Sequence, residues 1–187
     1  ANIDPKPMHL LQYEVMGDAY ARHILLKPNP TVGLLSVGEE ATKGTDFVKE
    51  TYKLLSATKL NFIGNIEGRD IFTGACDIII TDGFVGNVVL KVAEGLGSAI
   101  STLLKRELKK GLLSRIGALL SVSAFHGLRQ KMDYAEYGGA PLLGVDGRCI
   151  ISHGSSNAKA IKNAIRVAGE TVDHRLNRHI VEALQAL

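Results

Sequence analysis

Cysteine is scarce: Cys76 and Cys149 are the only two in 187 residues. Both fall inside apolar, strand-like runs, so buried, reduced thiols are expected, which suits a cytosolic protein. No Cys/His spacing resembles a zinc site, and His174 and His179 do not share a helical face. No metal ligand set is therefore expected. No Gly-x-Ser-x-Gly elbow occurs, so a serine acyl-enzyme is not indicated. No Gly-x-Gly-x-x-Gly occurs either; Gly95-x-Gly97 lies in a helical stretch and lacks the third glycine. Gly33 and Gly38 have Walker-A spacing, but Glu39 stands where the lysine belongs, which rejects a P-loop. The net charge of +3 is too small to argue for nucleic acid. Ala1-Asn-Ile-Asp-Pro-Lys-Pro7 carries neither an initiator Met nor an apolar signal segment, and the expectation is a trimmed piece of a longer protein.

What is present is a core-forming composition, 45% hydrophobic, enough for a single α/β domain over 1–187. The chain centres on Cys76-Asp-Ile-Ile-Ile-Thr-Asp-Gly-Phe-Val-Gly-Asn-Val-Val-Leu-Lys91. Ile78 to Ile80 read as a strand buried on both faces, Asp82 to Asn87 as a turn, and Val88 to Lys110 as a long helix. Gly83 and Gly86 permit close backbone approach, and a helix start offers unpaired N–H groups and a positive dipole end. The turn is thus either an anion site or a glycine corner used for shape alone. Arg148-Cys-Ile-Ile-Ser-His-Gly-Ser-Ser-Asn157 repeats the pattern before a helix beginning near Ala158.

Helices are also expected over Met8–Leu26, behind Pro5 and Pro7, and over Thr45–Ser56. Strands are expected over Val32–Val37 and Leu60–Gly64, followed by the connector Asn65–Asp70. Strand–helix alternation argues a mainly parallel sheet, whose ligands lie beyond the carboxyl ends of the strands. Glu39, Asn65, Glu67, Asp82, Asn87 and His153 all fall there. Asp146-Gly147 forms a hairpin turn between Leu142–Val145 and Cys149–Ser152. Two helices, Ala158–Val172 and Arg175–Leu187, close the chain.

Residues 103–131 read as a helical hairpin with seven Lys/Arg against one acid, Glu107. Its uncharged stretch Ile116–Leu128 would span only about 20 Å, short of the roughly 30 Å hydrocarbon core. A basic rim around Leu112, Leu113, Ile116, Leu119, Leu120, Val122 and Phe125 suits contact with a membrane surface, or equally burial in a homodimer.

Five blocks, taken in order, resemble the PlsX family of phosphate acyltransferases: Val32 to Glu40, Asn61 to Asp70, Asp82 to Asn87, Asp133 to Pro141, and His153 to Ala160. The family's amino-terminal, glycine-rich region has no counterpart here. The resemblance implies transfer of a fatty acyl group from acyl carrier protein to inorganic phosphate, for phospholipid synthesis. It implies a three-layer α/β/α fold akin to isopropylmalate dehydrogenase and phosphotransacetylase, with a protruding helical hairpin. It also implies a homodimer, no cofactor, and a cytoplasmic location with peripheral membrane contact. On this reading phosphate is held at Gly83, Gly86, Gly154, Ser155, Ser156 and Asn157, with Asp82, Asn65, Glu67 and Glu39 nearby. His153 and Asn87 are the candidate catalytic groups, since phosphate is itself a competent nucleophile. Two alternatives remain: a nicotinamide-dependent dehydrogenase domain, and a non-catalytic, membrane-binding dimeric module.

Overall fold

The computed structural model describes residues 2–132 and 138–187, with side chains described except at 128–132. Part of one expected block, residues 133–137, lies outside the described residues. The chain separates into two compact units: residues 1–86, 141–150 and 167–187, and residues 87–140 and 151–166.

In the first unit, Pro7 occupies the first turn of helix α1 (Pro7–His23), and His9 Nδ1 accepts from the Lys6 backbone N–H at 3.1 Å. Strand β1 (Val32–Leu35) is central in a parallel sheet of order β2-β1-β3, flanked by β2 (Phe62–Ile66) and β3 (Ile78–Ile80). Its position explains its composition. Val32 and Leu34 are fully buried, and Gly33 is small because a Cβ there would sit 2.8 Å from Ile66 Cγ2 and 3.0 Å from Cys76 Sγ. Thr45 caps helix α2 (Asp46–Ser56) by accepting from Val48 N. Leu10 and Leu11 of α1, Leu55 of α2, and Val32, Leu34 and Ile80 of the sheet form one core cluster. Each such side chain contributes about 1.5–3 kcal/mol by leaving water. The mixed α/β architecture, with its parallel sheet and many helices, agrees with the three-layer expectation.

A polar clip fastens β3 to β1. Asp77 accepts from Thr31 N at 2.9 Å and Thr31 Oγ1 at 3.0 Å, and pairs with Lys27. The Lys27 ammonium and the Thr31 donors push the Asp77 carboxyl down to about 2. A second cluster joins Met16 and Ala19 of α1 to Leu176 and Ile180 of the last helix, α7 (Leu176–Gln185). Beside it, His23 and His179 stack with ring centroids 3.7 Å apart.

The second unit holds most of helix α3 (Gly83–Leu108), then α4 (Leu112–Leu120) and α5 (Val122–Met132). The expected hairpin is therefore the end of α3 and two short helices, of which α4 and α5 pack together. Strands β4 (Ala140–Pro141) and β5 (Ile150–Ile151) pair, and α6 (Ala158–Asp173) follows. Gly138 is buried at φ +80°, where a Cβ would lie 2.3 Å from Ala164 N. Only glycine fits that approach.

Four expectations are corrected. Helix α3 begins at Gly83 rather than Val88, because Asp82 caps it. Asn65 lies inside β2 rather than in a connector. Cys149 is exposed, since β5 is only two residues long and starts after it, while Cys76 is partly buried with its thiol pushed up by burial. The last helix ends at Gln185 and starts after Arg175, which takes the left-handed conformation at φ 49°.

Candidate active site

Two strand-to-helix corners and one strand-end cluster carry the candidate residues. At the first corner, β3 ends and Asp82 turns the chain. Asp82 Oδ1 accepts from Phe84 N at 2.8 Å and Val85 N at 2.9 Å. Gly86 N donates to Asp82 O at 2.9 Å, and Gly83 N donates to Asn2 O at 2.9 Å. The amides expected to be open at Gly83 and Gly86 are therefore engaged. Asp82 has already brought a negative charge to the helix start, where a dianion would otherwise be attracted. Asn87 lies exposed in the first turns of α3, and Lys91 beyond it pairs with Glu94 at 3.4 Å.

In front of this corner lies an open cleft of about 400 Å³, lined by Ile3, Asp4, Pro5, Phe47, Asp82, Phe84 and Val85. Asn2, Asp4 and Phe47 were not singled out in the sequence. The signal for Phe47 was its place in the turn after the Thr45 cap, whereas Asn2 and Asp4 join the site only through tertiary contact.

The second corner is His153-Gly-Ser-Ser-Asn157. His153 Nδ1 lies 2.6 Å from Ser155 Oγ and accepts from Ser155 N at 3.2 Å. A backbone N–H can only donate, so in the neutral imidazole of His153 the proton lies on Nε2. Ser156 N donates to His153 O at 3.0 Å, closing the turn. Asn157 Oδ1 accepts from Ala160 N at 3.0 Å and caps α6, a helix with no acidic residue in its first turn. The Ser156 hydroxyl is buried with no hydrogen-bond partner among the described residues. Unlike the first corner, this one has no carboxylate among its own residues 153–157: it offers hydroxyls, an imidazole and a helix start, a set suited to an anion. Gly154 has open space where a Cβ would be.

At the carboxyl ends of β1 and β2, Arg69 gathers the two expected glutamates. Its Nη2 lies 3.2 Å from Glu39 Oε1 and its Nε 3.1 Å from Glu67 Oε2. Asn65 donates to Glu40 O at 2.9 Å, while its Oδ1 is buried without a partner among the described residues. Arg69 lay within a motif already noted, yet only the fold reveals that it ties Glu39 to Glu67. The structure thus joins Glu39 with Glu67, and His153 with Ser155, Ser156 and Asn157. The first corner belongs to the first unit and the second corner to the other. Among the described residues no three His, Cys, Asp or Glu side chains are grouped to hold a metal ion.

Sequence comparison then places the chain. The profile of the family described as "Fatty acid synthesis protein" matches residues 1–179. The phosphate acyltransferase of Geotalea daltonii is 54% identical over 184 residues, covering 98% of this chain and 53% of that protein. That of Aquifex aeolicus is 54% identical over 187 residues, covering all of this chain and 56% of that protein. The Nitratidesulfovibrio vulgaris phosphate acyltransferase is 52% identical over the same length, 54% of its own. The chain spans about half the length of these relatives. With a profile match across almost its full extent and relatives above half identity, the chain belongs to the family described as "Fatty acid synthesis protein".

Proposed function

We propose that this chain forms part of an enzyme that moves a fatty acyl group from acyl carrier protein to inorganic phosphate. The observation that carries the reading is the His153–Asn157 corner, a capped helix start furnished with hydroxyls and an imidazole, with no acidic residue in the first turn of its helix. Relatives named phosphate acyltransferase supply the reaction class. Phosphate sits at the start of α6, against Ser155, Ser156 and Asn157. One phosphate oxygen attacks the thioester carbonyl carbon, the C–S bond breaks, and the carrier's thiolate leaves and takes up a proton. The products are an acyl phosphate and the free carrier thiol. His153 Nε2–H donates to phosphate or to the carbonyl oxygen as negative charge builds there, and Asn87 assists as a neutral donor. Glu39, Glu67 and Asn65 shape the strand-end surface, with Arg69 neutralising part of its charge.

The protein works in the cytoplasm as a homodimer with peripheral contact to the inner face of the membrane. Support comes from the apolar residues of α4, where Leu113 is 86% and Leu120 81% exposed. Helix α3 is also long and apolar enough to cross a membrane by length and composition, and none of that stretch is buried. No observation favours dinucleotide binding.

The test is acyl-phosphate formation from acylated carrier protein, measured on this chain and on a full-length relative with the equivalent changes. His153→Ala and Asn87→Ala are expected to lower turnover by at least about tenfold, the low end for positioned donors. Wild-type turnover in both folded variants would remove the assignment.

A further inference from the structure

We propose that the cleft lined by Ile3, Asp4, Pro5, Phe47, Asp82, Phe84 and Val85 receives the pantetheine arm of the acyl donor; this rests on the acyl-transfer reading above. Its volume of about 400 Å³ falls within the range of small-molecule clefts. Its wall is mixed in a particular way. Ile3 and Phe84 stand more than half exposed, and Pro5, Phe47 and Val85 continue the apolar surface. Two carboxylates, Asp4 and Asp82, face the same space, and among the described residues no lysine or arginine lines it.

That lining discriminates among parts of the donor. An acyl tail would set hydrocarbon against two carboxylates and strip their water without returning a hydrogen bond. Phosphate would meet two like charges. The pantetheine portion of the arm, beyond the phosphate ester that joins it to its carrier, is neutral and alternates apolar and donor groups. Its gem-dimethyl carbon and methylenes match Ile3, Phe47 and Phe84, while its two amide N–H groups and its hydroxyl match the carboxylates. The cleft is also ready-made. Gly83 N bonds to Asn2 O, which holds the Ile3–Pro5 wall against the start of α3. Asp82 Oδ1 is fixed by two backbone N–H groups, which orients its carboxylate.

Pantetheine chemistry can arrive on acyl carrier protein or on coenzyme A, so the experiment carries both. The chain is titrated with pantetheine, coenzyme A, and carrier protein with and without its arm, following amide and methyl NMR shifts. Pantetheine is expected to shift Ile3, Phe47, Phe84 and Val85, and armed carrier to bind at least about tenfold tighter than armless carrier. Coenzyme A binding the same residues more tightly than armed carrier also supports the cleft and names the other source. Val85→Trp, which fills the cleft from an exposed helix position, should weaken pantetheine at least about tenfold, as should Asp4→Ala, which leaves the helices untouched. Shifts confined to other residues, or unchanged pantetheine affinity in both folded variants, overturn the proposal. Acyl-phosphate formation is followed in parallel. Its presence without pantetheine at the cleft sinks this inference alone, and arm binding without any acyl phosphate sinks the acyl-transfer reading alone.

Discussion

At the scale of single residues, Glu14 is the most unusual. It is fully buried on α1, and neither oxygen has a hydrogen-bond partner among the described residues. Burial, reinforced by nearby Asp18, raises its carboxyl from 4.5 to about 7. The unfolded chain ionises this group from about pH 4.5 and the folded chain only near 7, so the unfolded state gains stability across that window. Wild-type stability should therefore fall, relative to Glu14→Gln, by on the order of 2 kcal/mol between pH 4.5 and 7.5. Denaturant melts of both proteins across this range check it; parallel curves would show that Glu14 does not titrate there. The acid was not legible as buried, because α1 packs against the sheet and α7 together, and helical periodicity describes one face. The His23–His179 stack was invisible for the same reason: its members lie at opposite ends of the sequence.

Elements were easier to read where local chemistry decides them. The Ile78–Ile80 run, Pro7 at a helix entrance, Thr45 as a cap and Gly-rich corners before α3 and α6 all carry short-range signals. The misplaced start of α3 is instructive. Asp82 before Gly83 was itself a cap signal, but two glycines in the following turn suggested an open loop instead. The two hydrogen bonds to the Asp82 carboxylate and the one to its carbonyl outweigh glycine's cost of about 1 kcal/mol each in a helix. Gly138 shows an element-level constraint of another kind. With Ala164 N at 2.3 Å and Asn163 C at 2.4 Å from its virtual Cβ, both rigid helix backbone, it leaves no room for a methyl group. Gly138→Ala should destabilise the fold by about 3 kcal/mol or more, through the clash and the positive φ together. Thermal melting measures this, and a loss below about 0.5 kcal/mol would contradict the packing.

For the whole molecule, the apolar surface of α4 is the feature with the largest consequence. Leu112, Leu113, Leu119 and Leu120 are each at least 73% exposed, beside Lys105, Arg106, Lys109 and Lys110. Leu113→Glu combined with Leu120→Glu should lower binding to anionic vesicles by at least about tenfold while the folded state is kept, since both side chains are solvated already. Vesicle sedimentation with size-exclusion chromatography separates the possibilities: unchanged vesicle binding with a loss of dimer would assign this surface to the partner copy. The sequence showed that these leucines sit among basic residues, because composition is local. Which side of the helix covers what is a tertiary fact, and periodicity alone left both alternatives standing.

The carboxylate that Asp82 folds back onto its own helix has one more effect. Helix α3 arrives already neutralised at its positive end, so it stays wound whether or not any ligand is near. On the acyl-transfer proposal, loading a donor and discharging a product would leave that corner unmoved, a fixed wall against which only the travelling molecules change place.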